Sequence, residues 1–186
     1  MNSIFLRQGL GLLTMLALTS ISLRAGEEGF AHPLTTVQRV DLQRYVGLWY
    51  EIAKIPNTFQ RKCAGGTTAQ YELREDGKIS VVNRCIKSDG KAIEAKGIAK
   101  IVDAKTNAKL KVSFVNLLGW RLFWGDYWII GLDEQYRWAI VGHPQRKYGW
   151  ILSRTPTLEK PTLAAIFDLL RKQGYDPEKF ELTKQE

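Results

Sequence analysis

Eight short runs of alternating side chains, separated by turns at hairpin spacing, constrain this chain more than any other feature. They cover 48–55, 67–73, 78–86, 92–102, 108–116, 127–132, 136–141 and 148–154. In the third run Ile79, Val81, Asn83 and Cys85 alternate with Ser80, Val82 and Arg84. That is the two-residue period of a strand with two unlike faces. Asp76-Gly77 ahead of it is a two-residue hairpin signal, and Pro56-Asn57 stops the first run. Eight consecutive antiparallel strands close without leaving an edge. The predicted fold is therefore all-β, an eight-stranded antiparallel up-and-down barrel able to hold one small ligand. A helix follows: Leu163, Ile166, Phe167 and Leu170 recur at helical spacing, which gives one apolar face to pack on the outside wall. Thr157 or Thr162 is available to cap its start, and Arg171, Lys172 and Gly174 suit its end.

The first 25 residues read as a secretory signal, with Arg7 as the basic region and an apolar run over 10–23. Cleavage is expected at Ala25, or as late as Ala31; an uncleaved N-terminal anchor is the alternative. The leader holds no Cys, so attachment through a lipid-modified N-terminal Cys is not expected. Loss of Arg7 and Arg24 takes the net charge from +8 to +6. Such a chain favours anionic surfaces. No helix-turn-helix, zinc spacing or RNA-binding segment points to nucleic acid.

Two cysteines, Cys63 and Cys85, remain for an oxidising compartment. One disulfide is the simplest outcome, worth roughly 3 kcal/mol in the chain-entropy model. Two free thiols are the other.

Three segments together resemble the lipocalin family. Gly47-Leu48-Trp49-Tyr50-Glu51 matches its Gly-x-Trp motif, Asp133 to Tyr136 its acidic-aromatic turn between strands six and seven, and Arg154 its closing Arg motif. Within the family the chain is similar to apolipoprotein D and the bacterial outer-membrane lipocalins. The carriers of that similarity are Trp49-Tyr50-Glu51-Ile52-Ala53-Lys54-Ile55-Pro56, Trp150-Ile151-Leu152-Ser153-Arg154-Thr155-Pro156, and Asn83 after the hairpin. The resemblance spans about 40–180, and the lipocalin domain is set at 40–182. It implies a carrier of a small lipophilic molecule, a fatty acid or lysophospholipid, in the periplasm or at the outer-membrane periphery if the source is bacterial. It implies no enzyme activity and no cofactor.

The motif residues read as structural. Gly47 permits the turn into the barrel, Trp49 plugs the closed end, and Arg154 lies across its indole, a cation–π contact worth about 0.5–2 kcal/mol. If Arg154 reaches inward, strand parity puts Leu152 and Trp150 on the inner face. The resemblance implies Tyr71, Asn83, Phe114, Tyr127, Trp150 and Leu152 as the ligand-lining set. Six Trp, seven Tyr and seven Phe exceed what a core this size needs. Parity also places Glu51 on the Trp49 side, where a buried carboxylate needs a partner; a structural ion pair is preferred over ligand contact.

Alternate loops of a meander share one end. The loops after strands one, three, five and seven carry Arg61, Lys62, Lys87, Lys91, Arg121, Arg146 and Lys147, which biases positive charge to the mouth. The segment 117–124 is apolar with one Arg, and Trp120, Phe123 and Trp124 are candidates to touch an anionic membrane. A lid over the cavity and a homodimer contact are the other readings of this loop. The rival function is a lipid isomerase using a free Cys85 thiolate in the cavity. His32 and His143 are the two histidines, too few for a metal or catalytic constellation, though a haem through His143 is conceivable. A purely structural envelope protein, needing no cavity, is the third class.

Overall fold

The computed structural model describes residues 32–185; the expectations about the leader fall outside them. A four-residue helix, α1 (Leu42–Tyr45), precedes β1 (Gly47–Lys54), β2 (Gly65–Leu73), β3 (Ile79–Ile86), β4 (Ala92–Ile101) and β5 (Lys109–Ser113). A small hairpin, β6 (Val115–Leu117) and β7 (Trp120–Leu122), leads to β8 (Gly125–Leu132), β9 (Trp138–Gly142) and β10 (Gly149–Ser153). Helix α2 (Lys160–Lys172), a 3-10 turn (Pro177–Lys179) and β11 (Glu181–Leu182) complete the order. Strands β1 to β5 and β8 to β10 pair antiparallel with their chain neighbours, and β10 pairs back onto β1. The barrel is closed by eight strands, with one C-terminal helix outside it.

Local chemistry departs from expectation in four places. The turn after β2 is a three-residue loop: Gly77 N–H donates to Arg74 O (3.0 Å), Arg74 N–H donates to Lys78 O (2.9 Å), and Gly77 sits at φ +73°. That is a type I turn closed by a left-handed residue, not the two-residue turn that Asp-Gly suggests. The fifth run breaks at Phe114, so its end joins β6 in a separate two-stranded sheet. Tyr136 lies in the turn before β9 at φ +61°. Neither Thr157 nor Thr162 caps α2; Glu159 holds that position without a side-chain bond, and Pro161 in the first turn supplies the preset φ.

The apolar residues divide between two clusters. Inside the barrel, Trp49, Ala69, Tyr71, Val81, Leu110, Ile129 and Leu152 pack together. Outside, Ile166 and Leu170 of α2 are fully buried against Ile130, Ile140 and Ile151, each side chain worth about 1.5–3 kcal/mol. A bulge between Glu51 and Ala53 shifts the β1–β10 register and brings both Ile52 and Ala53 into the outer cluster. Beyond Tyr50, β1 no longer pairs with β2. The C-terminal tail fills that gap: Thr183 N–H donates to Ile52 O (2.9 Å), Gly66 N–H to Lys184 O (2.7 Å), and the Gln185 amide to the carbonyls of Glu51 (2.5 Å) and Thr67 (3.1 Å).

A ligand cavity between a plugged end and an open mouth

The closed end is built on the four-residue helix α1. Asp41 caps α1, accepting from the amides of Gln43 (2.9 Å) and Arg44 (3.4 Å). Trp49 is fully buried above it and donates its indole N–H to Tyr45 O at 2.8 Å. The Arg154 guanidinium sits 3.8 Å from the Trp49 ring and donates to the carbonyls of Arg44 (2.7 Å), Tyr45 (3.1 Å), Val46 (3.0 Å) and Leu48 (2.8 Å). Carbonyls at a helix C-terminus have no partner of their own, so one side chain satisfies the helix end and clamps the plug. Gly47, at φ +100°, leaves room for it: a Cβ there would stand 3.3 Å from Arg154. Asp133 ties the turn beside it, accepting from Arg137 Nε and Nη2 at 2.8 Å each.

Above the plug is a cavity of about 470 Å³, within the range of small-molecule sites. Tyr71, Asn83, Phe114, Tyr127, Trp150 and Leu152 all line it, so the structure gathers the six residues singled out from sequence on one wall system. Val81, Ile79, Leu110, Val112 and Val141 add apolar surface between them.

Polar groups lie at two levels. At the floor the Tyr127 hydroxyl is 2.8 Å from that of Tyr45 and 3.0 Å from that of Tyr71. Burial is the main cause that pushes all three phenols up, Tyr71 to about 12. Toward the mouth, buried Glu51 accepts from Gln60 Nε2 and Thr183 Oγ1 at 2.6 Å each and pairs with Lys54 at 3.3 Å. Its partners are structural. Gln60 Oε1 in turn accepts from Trp150 Nε1 (3.0 Å) and Asn57 Nδ2 (2.7 Å). Asn83 Oδ1 and Thr67 Oγ1 are buried on the wall with no partner.

Cys63 and Cys85 are joined in a disulfide, Cα atoms 5.5 Å apart, and both line the cavity. The bridge leaves neither sulfur as a thiolate. His143 also lines the mouth; its Nδ1 accepts from Gln145 N–H (3.2 Å), its ring meets Tyr148 edge-on, and burial holds its pKa below the ordinary value.

The mouth lies among the loops after β1, β3, β5 and β9. Arg61, Lys62 and Lys87 line a shallow groove beside the cavity, with Lys87 paired to Asp89 at 2.9 Å. Arg146 turns away from the mouth: it donates to Gln173 O (3.1 Å) and His32 O (2.8 Å), pinning the N-terminal segment and the end of α2. The β6–β7 hairpin exposes Leu118 (93%), Trp120 (76%) and Phe123 (80%). Trp124 does not join them. It is half-buried, with Lys100 4.3 Å above its ring and its indole N–H donated to Arg121 O (3.1 Å).

Sequence reasoning missed Tyr45 and Gln60. Tyr45 sits in a helix too short to show a period, and nothing in the chain marks Gln60 as Trp150's partner.

A model of the lipocalin-like domain matches residues 40–185. Outer membrane lipoprotein Blc of Escherichia coli K12 is 39% identical over 153 residues, covering 82% of this chain and 83% of that protein. Temperature-induced lipocalin-1 of Arabidopsis thaliana is 39% identical over 155 residues, with 82% and 83% covered. Apolipoprotein D of Macaca fascicularis is 33% identical over 156 residues, covering 80% of this chain and 79% of the relative. Among solved structures, insecticyanin from the tobacco hornworm Manduca sexta superposes with a TM-score of 0.66 at 24% identity, over 81% of this chain and 84% of that one.

Proposed function

This chain belongs to the lipocalin family, and we propose that it binds and transports or stores one small lipophilic molecule in the cell envelope, a fatty acid or a lysophospholipid. The observation that carries this reading is the apolar cavity of about 470 Å³, plugged at one end by Trp49 and open among loops at the other. Apolar burial supplies the affinity, about 0.8 kcal/mol per methylene, and a few polar groups fix orientation. In this reading Tyr71, Asn83, Phe114, Tyr127, Trp150 and Leu152 contact the ligand, while Gly47, Trp49, Asp133 and Arg154 hold the fold. The relatives named outer membrane lipoproteins support the envelope.

The protein is read as a carrier, not a catalyst. The isomerase alternative needs a free cavity thiol, and the Cys63–Cys85 bridge occupies both sulfurs. We read the β6–β7 hairpin as the part that meets an anionic membrane, with Trp120 and Phe123 inserting and Arg61, Lys62 and Lys87 steering. Each such cation contributes about 1 kcal/mol near the surface.

Mass spectrometry of organic extracts from native protein tests the carrier reading. A stoichiometric lipid is expected. Protein that yields none, and that binds neither fatty acid nor lysophospholipid in titration, sinks it.

A further inference from the structure

Resting on the carrier reading, we infer that Tyr45, Tyr71 and Tyr127 form a hydroxyl anchor at the cavity floor that takes an uncharged oxygen acceptor on the ligand's inner end, such as a ketone, ester or alcohol oxygen. The inference comes from counting protons. Three hydroxyls carry three donor protons. Two contacts join them, Tyr45–Tyr127 at 2.8 Å and Tyr71–Tyr127 at 3.0 Å. Whichever way those two bonds run, one proton is left over, on a group that is buried at the cavity floor. An unmet buried donor costs free energy that an acceptor recovers.

The acceptor is uncharged because no unpaired Lys or Arg lines the cavity, and burial outweighs the pull of Arg154 at Tyr45. The charged groups on the cavity wall are already paired: Glu51 with Lys54, Arg84 with Glu94, and Asp126 with Lys111. Arg154 lies at the Trp49 plug with its donors turned to five backbone carbonyls, and it is not on the cavity wall. A carboxylate brought down to the tyrosines would be a buried charge without a partner. Its place is the mouth, near Arg61 and Lys62. Burial keeps the phenols protonated, so they stay donors at neutral pH.

The anchor is assembled only by folding, since its members come from α1, β2 and β8. It also sets direction. A ligand with a neutral oxygen terminus enters oxygen first, whereas an anionic amphiphile enters tail first.

The test uses the whole protein and displacement of N-phenyl-1-naphthylamine by dodecane and by 2-dodecanone. One hydrogen bond predicts about 3- to 10-fold tighter binding of the ketone. The triple variant Tyr45→Phe/Tyr71→Phe/Tyr127→Phe keeps the rings and removes all hydroxyls together, so none is orphaned; the ketone, its carbonyl now buried without a donor, then binds no tighter than the alkane. Tyr127→Phe alone separates two hydroxyls that each keep a proton, and the preference survives. As a measurement on the unaltered protein, the carbonyl stretch of bound 2-dodecanone falls below its value in liquid dodecane. A triple variant that retains the preference overturns the inference, as does an unshifted stretch. If neither compound nor the probe binds, the carrier reading fails and the anchor falls with it. Equal binding of both compounds by the unaltered protein overturns the anchor alone.

Discussion

Two tryptophans show how differently the ends of this barrel are built. Trp49 at the closed end is fully buried, its indole N–H fixed on a backbone carbonyl and its face covered by Arg154. Trp150 near the mouth is half-buried, its N–H held by the side chain of Gln60 and its ring stacked on Tyr148 with centroids 6.2 Å apart. One end spends its contacts on backbone groups that exist in every folded copy. The other relies on contacts between side chains. Trp49 thus holds the frame, and in the carrier reading Trp150 meets the ligand.

Breaking each end in turn separates the two. Trp49→Ala leaves a void and unclamps α1, costing about 3–5 kcal/mol of stability. Trp150→Ala costs far less stability and weakens fatty-acid binding by about tenfold or more. Thermal melts and a fluorescent fatty-acid titration on both variants decide the matter. Equal losses in both assays would erase the distinction between the ends.

The Cys63–Cys85 bridge is the one covalent staple at the mouth. Replacing both cysteines by Ser is expected to cost about 2–4 kcal/mol while leaving ligand binding within a few-fold. Denaturant unfolding measures the first and titration the second. A variant that keeps its stability but loses its ligand would make the bridge part of the site, not of the frame.

The hairpin at the mouth is sharpened by Leu118→Ser/Trp120→Ser, two exposed residues that do not line the cavity. Vesicle binding should have a part that falls as salt screens it and a part that this double change removes, with ligand affinity in solution unaltered. If the unaltered protein ignores anionic vesicles at low salt, the hairpin is a lid or a homodimer contact. Sedimentation of the double variant then chooses between those two.

How much could be read from the chain follows the same division. The barrel and its plugged end were legible because their signals are local: a two-residue period, a glycine beside a tryptophan, an arginine closing the last strand. The inner parity of Trp150 and Leu152 followed from Arg154 alone. What escaped depends on contacts distant in sequence. Tyr45 reaches Tyr127 across 82 positions, and Thr183 reaches Glu51 across 132. Trp124 was misplaced for a related reason. Its apolar neighbours suggest exposure at the rim, but Lys100 of β4 covers its ring, a contact no pattern in 117–124 contains. The β6–β7 turn also hides from sequence, because Leu118 adopts φ +50° in a place where turn rules ask for Asn or Gly.

The smallest expected effect compares two turns that use an aspartate alike, one at each end. Asp133 at the closed end accepts from Arg137 Nε and Nη2 and from the amides of Gln135 (3.0 Å) and Arg137 (3.2 Å). The Arg137 side-chain bond is the main cause that holds its carboxyl down at about 2, below its ordinary 3.8. Asp89 at the mouth accepts chiefly from Lys87 and is also lowered, but its side chain is far more exposed. A carboxyl whose folded-state pKa is depressed favours the charged form in the folded protein. Its contribution is complete above the unfolded value and is lost as pH falls through the folded one. For Asp133 that window runs from about pH 4 down to about pH 2. Asp133→Asn should therefore lower the melting temperature at about pH 5 and make a smaller difference near pH 2, where the carboxyl is about half protonated. Asp89→Asn should show the same sign with a smaller gap, because water screens the exposed pair. A gap for Asp133→Asn that persists undiminished at the acid end would mean that the turn is held by shape and not by charge.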